Sequence, residues 1–231
     1  RSPGTRRLVL WTLGVTVQNN PSVQADLVGL GGLQRLASRL PRCGAAAGAP
    51  AAAQDREEAE DLQYCGKLLF TLSGLVKNNA TTQASATELG VFDWLLRVGI
   101  THSSVAVVKK SLGLLETALA QSPDLQVLET LPHLREELAR TLLAHVRGPA
   151  AERVDPDLAE KALRLINRIL SLRPMLFAPT FRPELAAAVR DVTQRCEGAF
   201  GAGDELCAGL AGLAGHANLM LTASDIADED L

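Results

Sequence analysis

"LVLWTLGVTVQNNP", residues Leu8–Pro21, spells an apolar helix, a pair of asparagines and a proline suited to opening a second helix. A near copy, "LLFTLSGLVKNNAT", spans Leu68–Thr81. Laying Asn19-Asn20 on Asn78-Asn79 sets the copies 59 residues apart, and in that register Trp11 meets Phe70, Leu13 meets Leu72, Val17 meets Val76 and Gln24 meets Gln83. The match runs on, with Leu30-Gly31 on Leu89-Gly90, Leu33 on Phe92 and Leu36 on Leu95. Asparagine tolerates left-handed backbone, and its side chain can satisfy free N–H groups at a helix start. Each pair therefore reads as a joint that ends one helix and caps the next.

Two further registers extend the pattern. A shift of 43 carries Leu72 to Leu115, Val76 to Leu119 and Gln83 to Gln126, and one of 51 carries Leu115 to Ile166, Leu119 to Leu170 and Pro123 to Pro174. Apolar positions kept at such periods, with the surface free to vary, are what a helical solenoid produces. The long first period has a visible cause in "RCGAAAGAPAAAQDREEAE", Arg42 to Glu60, which is rich in Ala, Gly and Pro and then charged. It reads as a flexible insertion whose last part begins the next helix. Removing about 17 residues of it restores a period of about 42, in the armadillo and HEAT range. The expected fold is thus all-α, an armadillo-like right-handed superhelical solenoid of about four repeats with a C-terminal cap. It occupies residues 1–221, with the insertion at 42–60 and an acidic tail at 222–231.

Apolar spacing and turn residues divide each repeat into three helices. The best preserved repeat gives Pro21 to Leu30, a turn at Gly31-Gly32, Gly32 to Leu40, and then Asp61 to Lys77, which should bury Leu68, Leu69, Leu72, Leu75 and Val76. The next gives Thr82 to Leu89, Val91 to Val98 and Ser103 to Ala120. The fourth gives Asp124 to Thr130, His133 to Val146 and Pro156 to Leu172, with an exposed turn at "HVRGPAAERVDPD". Pro183 to Arg195 and Asp204 to Leu221 form a closing pair, its Gly-rich "CAGLAGLAG" suiting close helix packing, and the residues from Asp225 on should fray.

Composition narrows the function. Of the 231 residues 47% are hydrophobic, enough for a large core, and only 3% are aromatic, which favours Leu- and Ala-rich helices. The formal charge of −3 and the lack of a Lys/Arg run longer than two give no electrostatic reason to expect nucleic acid. No apolar run approaches the roughly 18 residues that span a bilayer, so membrane insertion is not expected. "RSPGTRR" runs directly into a helix, so the chain reads as part of something longer. The cysteines Cys43, Cys65, Cys196 and Cys207 have neither zinc-site spacing nor disulfide-scaffold density. Buried or free thiols are expected, with a Cys196–Cys207 bridge the one pairing left open. His102, His133, His145 and His216 are scattered and read as surface residues without metal-ligand spacing. "GLGGL" at Gly29–Leu33 lacks the spacing of a phosphate loop, and no nucleophile motif is present. No enzyme, no catalytic residue, no metal and no cofactor are expected.

A solenoid instead offers a groove lined by the third helix of each repeat. Positions four apart project to one side of a helix. Down the stack this selects Arg7, Trp11 and Val15; Phe70 and Gly74; Lys109, Gly113 and Thr117; and Glu160, Arg164 and Arg168. Plain core packing is the competing reading for Trp11 and Phe70. Peptide-carrying armadillo proteins repeat a Trp and an Asn at i and i+4 down this groove; here Trp11 alone has the ring and the Asn is missing throughout, so a folded partner fits better than an extended peptide.

"NNPSVQADLVGLGGLQRLASRL" followed by "YCGKLLFTLSGLVKNNATTQASATELGVFDWLL" resembles the armadillo-type nucleotide exchange factors of the 70-kDa heat-shock chaperones, which include cytosolic heat-shock-protein-binding factors and the endoplasmic-reticulum factor that acts on BiP. The resemblance covers roughly Thr5 to Leu143 well; the insertion and the Gly-rich closing helix depart from it. It implies a monomer that grips lobe II of the chaperone's ATPase domain and opens the nucleotide cleft so that ADP leaves. The partner contacts would fall on Arg7, Trp11, Phe70, Lys109, Thr117, Glu160, Arg164 and Arg168. "GKLLFTLSGLVK" lies nearer the BiP partner, and Asn79-Ala80-Thr81 is a glycosylation acceptor motif, so the endoplasmic reticulum lumen is expected, with the cytoplasm as the alternative. An armadillo adaptor that holds a protein partner without touching its nucleotide is the alternative function.

Overall fold

The computed structural model describes residues 3–44, 54–121, 134–148, 155–173, 176–177, 181–201 and 204–228. Among them the chain is helical throughout, with no strand. The expected helix Asp124 to Thr130, the middle of the insertion at 45–53, the turn at 149–154, Pro123, Gln126, His133, Pro174 and the last three tail residues lie outside the described residues. Two compact units divide the chain, Arg1–Val127 and Leu128–Leu231.

The first unit contains α1 (Pro3–Val17), α2 (Pro21–Gly29), α3 (Gly32–Ala37), α4 (Leu40–Gly44), α5 (Gln54–Val76), α6 (Ala80–Glu88), α7 (Val91–Trp94) and α8 (Val105–Gln121). A π-helical turn, Leu95–Gly99, continues α7. The long helices pack side by side, α1 on α5 and α5 on α8, while α3, α4 and α6 pack against α5. The joints are built as their chemistry requires. Asn19 and Asn78 have φ of 52° and 58°, the left-handed region that asparagine tolerates better than other side chains. Asn20 then caps α2, accepting from the Val23 N–H, and Asn79 caps α6, accepting from the Thr82 N–H. Gly31 and Gly90 both turn the chain at φ 72°, where a Cβ would be strained.

Helix α5 buries Leu68, Leu69, Leu72, Leu75 and Val76 as its spacing dictates. Positions related by the later registers are buried as well: Leu115, Leu119, Ile166 and Leu170. The segment expected as one helix from Gly32 to Leu40 is broken in two. Pro41 has no N–H to continue the ladder from α3, so the chain turns at Ser38-Arg39 and restarts at Leu40. Arg42 to Gly44 and the residues from Gln54 on, parts of the expected insertion, are helical.

The second unit contains α9 (Leu134–Arg147), α10 (Pro156–Leu172), α11 (Phe181–Phe200) and α12 (Glu205–Asp228). Asp155 caps α10 by accepting from the Leu158 N–H, with Pro156 at the first helical position. Helix α10 packs on α9 and α12, and α11 packs on the same two. The buried Asn167 donates to the Leu213 carbonyl, tying α10 to α12. Helix α12 runs to Asp228, past the point where fraying was expected.

The cysteine expectation is corrected. All four are buried and paired, Cys43 with Cys65 and Cys196 with Cys207, at Cα separations of 5.6 and 5.7 Å. Only the second pair joins sequence neighbours; the first ties α4 to α5 across the insertion, a closeness made by folding.

Candidate functional site

The seam between α1 and α5 sets the geometry. A Cβ at Gly14 would stand 2.5 Å from Phe70 Cδ1, so it is the missing side chain that lets the Phe70 ring lie on α1. One turn on, Gly74 accommodates Val17 Cγ2, which a Cβ would meet at 2.7 Å. The buried Thr71 hydroxyl lies 2.8 Å from the carbonyl oxygens of Leu10 and of Lys67, adding a polar tie across the seam. Val17 is fully buried, whereas Trp11 is 48% exposed and Val15 50%. Trp11 therefore faces outward, and the core-packing reading fails for it.

Outside this seam lies an open hollow of about 750 Å³, walled by α1, by α5 and by the start of α8. Arg7, Trp11 and Phe70 line it together, and so do Lys67 and Lys110. The Lys67 ammonium stands 5.8 Å from the Trp11 ring centroid, and the Lys110 ammonium stands 5.8 Å from that of Phe70, within the range of cation–π attraction. Arg7 donates to the Gln63 side-chain oxygen on the far wall. None of the described residues lining the hollow carries a carboxylate.

Other residues of the expected stripe lie elsewhere. Gly74 is buried against α1, because α1 covers that end of α5, so the open face of α5 runs through Gln63, Lys67 and Phe70 instead. Lys109 and Thr117 are half-buried on α8, outside the lining of the hollow, where the neighbouring Lys110 takes the position expected for Lys109. Glu160, Arg164 and Arg168 belong to the second unit. Arg164 Nη2 and Glu160 Oε1 form an ion pair at 2.7 Å, an i,i+4 contact worth about 0.3–0.5 kcal/mol. Arg168 is half-buried on the same helix.

Lys67 and Lys110 escaped the sequence reading, although a signal was there. They are 43 residues apart, the register that carries Leu72 to Leu115, and Lys67 stands three residues before Phe70. His102 was also misread as a surface residue. Its Nδ1 accepts from the Ser104 N–H, so Nε2 carries the proton and donates to the Cys43 carbonyl at 2.8 Å. This clips the wall residue Ser104 to the disulfide-bonded end of α4. Asn79 uses its side-chain oxygen as a helix cap and is half-buried.

Neither the pattern of a protein family nor a curated protein sequence matches this chain. Among the described residues no group of three His, Cys, Asp or Glu side chains could hold a metal ion, and no helix is long and apolar enough to cross a membrane.

Proposed function

We propose that this chain is a nucleotide exchange factor for a 70-kDa heat-shock chaperone, built as an armadillo-like right-handed solenoid of about four repeats. The hollow beside Trp11 and Phe70 would grip lobe II of the chaperone's ATPase domain. The repeat reading is supported by joints that recur 59 residues apart with the same left-handed asparagine, cap and left-handed glycine, and by the adjacency of α1, α5 and α8. The functional reading rests on one observation above all: an exposed tryptophan, a phenylalanine and an arginine, aromatic and Arg types that are enriched at protein interfaces, share an open hollow with two lysines.

The mechanism needs no reacting group on this chain. A partner that binds the open form of the ATPase domain more tightly than the closed form shifts the equilibrium toward opening, by as much as its differential affinity. A thousandfold faster ADP release corresponds to about 4 kcal/mol of such preference. Burying the Trp11 and Phe70 rings only against the open form would contribute much of it. Two disulfides and the Asn79-Ala80-Thr81 motif favour an oxidising compartment, which in this reading is the endoplasmic reticulum lumen, with BiP as the chaperone and a cytosolic relative as the alternative.

Release of fluorescent ADP from purified ATPase domains tests the proposal. Acceleration at micromolar concentrations of this chain is expected for BiP. No acceleration for BiP or for a cytosolic chaperone would leave only a passive adaptor.

A further inference from the structure

The α5 wall and the α8 wall of the hollow both lead back to one covalent bond. On α5, Cys65 stands between the lining residues Gln63 and Gly66, and its sulfur is bonded to Cys43 of α4. At the start of α8, the lining residue Ser104 donates its N–H to His102 Nδ1 at 2.9 Å, and His102 Nε2 donates to the Cys43 carbonyl. The Ser104 carbonyl in turn accepts from the Val107 and Val108 N–H groups, so the first turn of α8 is built on the residue that the imidazole holds. Cys43 is therefore shared: its side chain ties down the α5 wall and its carbonyl ties down the α8 wall. The close seam contacts of Phe70, Thr71 and Gly74 with α1 lie further along α5. The chief cross-links of the Leu62–Gly66 stretch are instead the disulfide and the exposed Arg7–Gln63 bond.

We infer that the hollow is redox-dependent: it keeps its shape for a partner while Cys43–Cys65 is oxidised, and a dithiol reductant that opens this bond releases both walls. This inference rests on the hollow's being the partner surface, and it adds how that surface is regulated. One thiolate of the reductant attacks a cysteine sulfur and breaks the S–S bond, and the other cysteine leaves as a thiolate and takes a proton. The reductant's second thiolate then displaces the first cysteine, which also takes a proton. Two thiols remain on the chain, and the reductant, oxidised by two electrons, departs as a cyclic disulfide. Cys43 and Cys65 are only 1% and 3% exposed, so the attack requires α4 to lift. A helix of five residues has little stability of its own, and opening such an element locally needs far less than global unfolding. Lifting α4 also withdraws the carbonyl that His102 holds. The other bridge provides the contrast: Cys196–Cys207 joins α11 to α12, and none of the described residues lining the hollow lies on those helices.

Deuterium uptake read by mass spectrometry tests the clasp on the C196S/C207S chain, in which one bridge remains, with and without dithiothreitol and with loss of the bond confirmed by mass. Reduction should speed uptake at least about tenfold over Leu62–Lys67 and Ser104–Val108 while Ala80–Glu88 stays protected, and re-oxidation should reverse it. In ADP release from the BiP ATPase domain, C43S/C65S should lose at least about tenfold of the acceleration and C196S/C207S should keep most of it. Circular dichroism checks folding; should either variant fail to fold, uptake over the same segments of the unmodified chain still decides. Unchanged uptake at both walls after reduction, equal loosening of Ala80–Glu88, or full acceleration by folded C43S/C65S would each overturn the clasp. Lack of acceleration by the unmodified chain would remove the exchange-factor reading alone, because the uptake comparison needs no chaperone.

Discussion

The joint at Asn19-Asn20 and the joint at Asn78-Asn79 share their local code but not their tertiary anchoring. In the first, the buried Gln24 carboxamide donates to the Val17 carbonyl and, at 2.7 Å, to the Gly74 carbonyl of α5. In the second, Gln83 donates to the Val76 carbonyl and to the Gln121 side-chain oxygen. Gln121 in turn accepts from the Asn78 N–H and donates to the Asn78 side-chain oxygen, closing a relay. The first joint is thus tied to the neighbouring main chain, and the second engages the partly exposed Gln121 side chain. The shared asparagine pair sets the backbone; the neighbouring helix decides how that backbone is held.

The largest contrast should come from the glutamines. Removing a partner from buried polar groups costs about 1–3 kcal/mol, and Q24A takes the side-chain donor from the Gly74 carbonyl and leaves the Val17 carbonyl only its bond from the Asn20 N–H, so about 2 kcal/mol is expected. Q83A should cost about half as much, since water can reach the Gln121 end. Urea unfolding of the two variants measures both; equal losses would break the comparison.

The glycines sharpen it on the helix seams. Gly74 sits against Val17, so G74A must push α1 outward, and overpacking of about 1–3 kcal/mol should exceed the gain of about 1 kcal/mol from better helix propensity. Around Gly113 nothing lies within 4 Å of a Cβ, so G113A should stabilise by up to about 1 kcal/mol. Thermal unfolding should therefore move in opposite directions for the two variants.

The smallest effect separates the left-handed residues themselves. N19G relieves a Cβ at φ 52° and should stabilise by a few tenths of a kcal/mol. N78G gives the same relief but loses the bond to Gln121, and should destabilise by a similar amount. Stabilisation by both would show that the relay at the second joint holds nothing.

Much of the first unit could be read in one dimension because its determinants are local. The asparagine caps, the left-handed glycines and the buried face of α5 follow from residue types at fixed spacings. What escaped was created by contacts distant in sequence. The Cys43–Cys65 pair spans 22 residues across an insertion whose composition says nothing about where its ends meet. The π-helical turn at Leu95–Gly99 sits where Gly99 packs against Ser111, with a Cβ there only 2.5 Å from its hydroxyl, a constraint imposed by α8. Trp11 and Phe70 were legible from register, but the lysines above them lie on other helices, and which of Lys109 and Lys110 faces the hollow depends on the rotation of α8.

We propose that the Trp11–Phe70 hollow grips an ATPase domain. Stopped-flow release of fluorescent ADP from the BiP ATPase domain, comparing the unmodified chain with W11A/F70A at matched concentration and with helicity checked, tests it most directly. The double variant should lose more than about tenfold of the acceleration, as truncating two interface anchors should. Full acceleration by a folded W11A/F70A would contradict it.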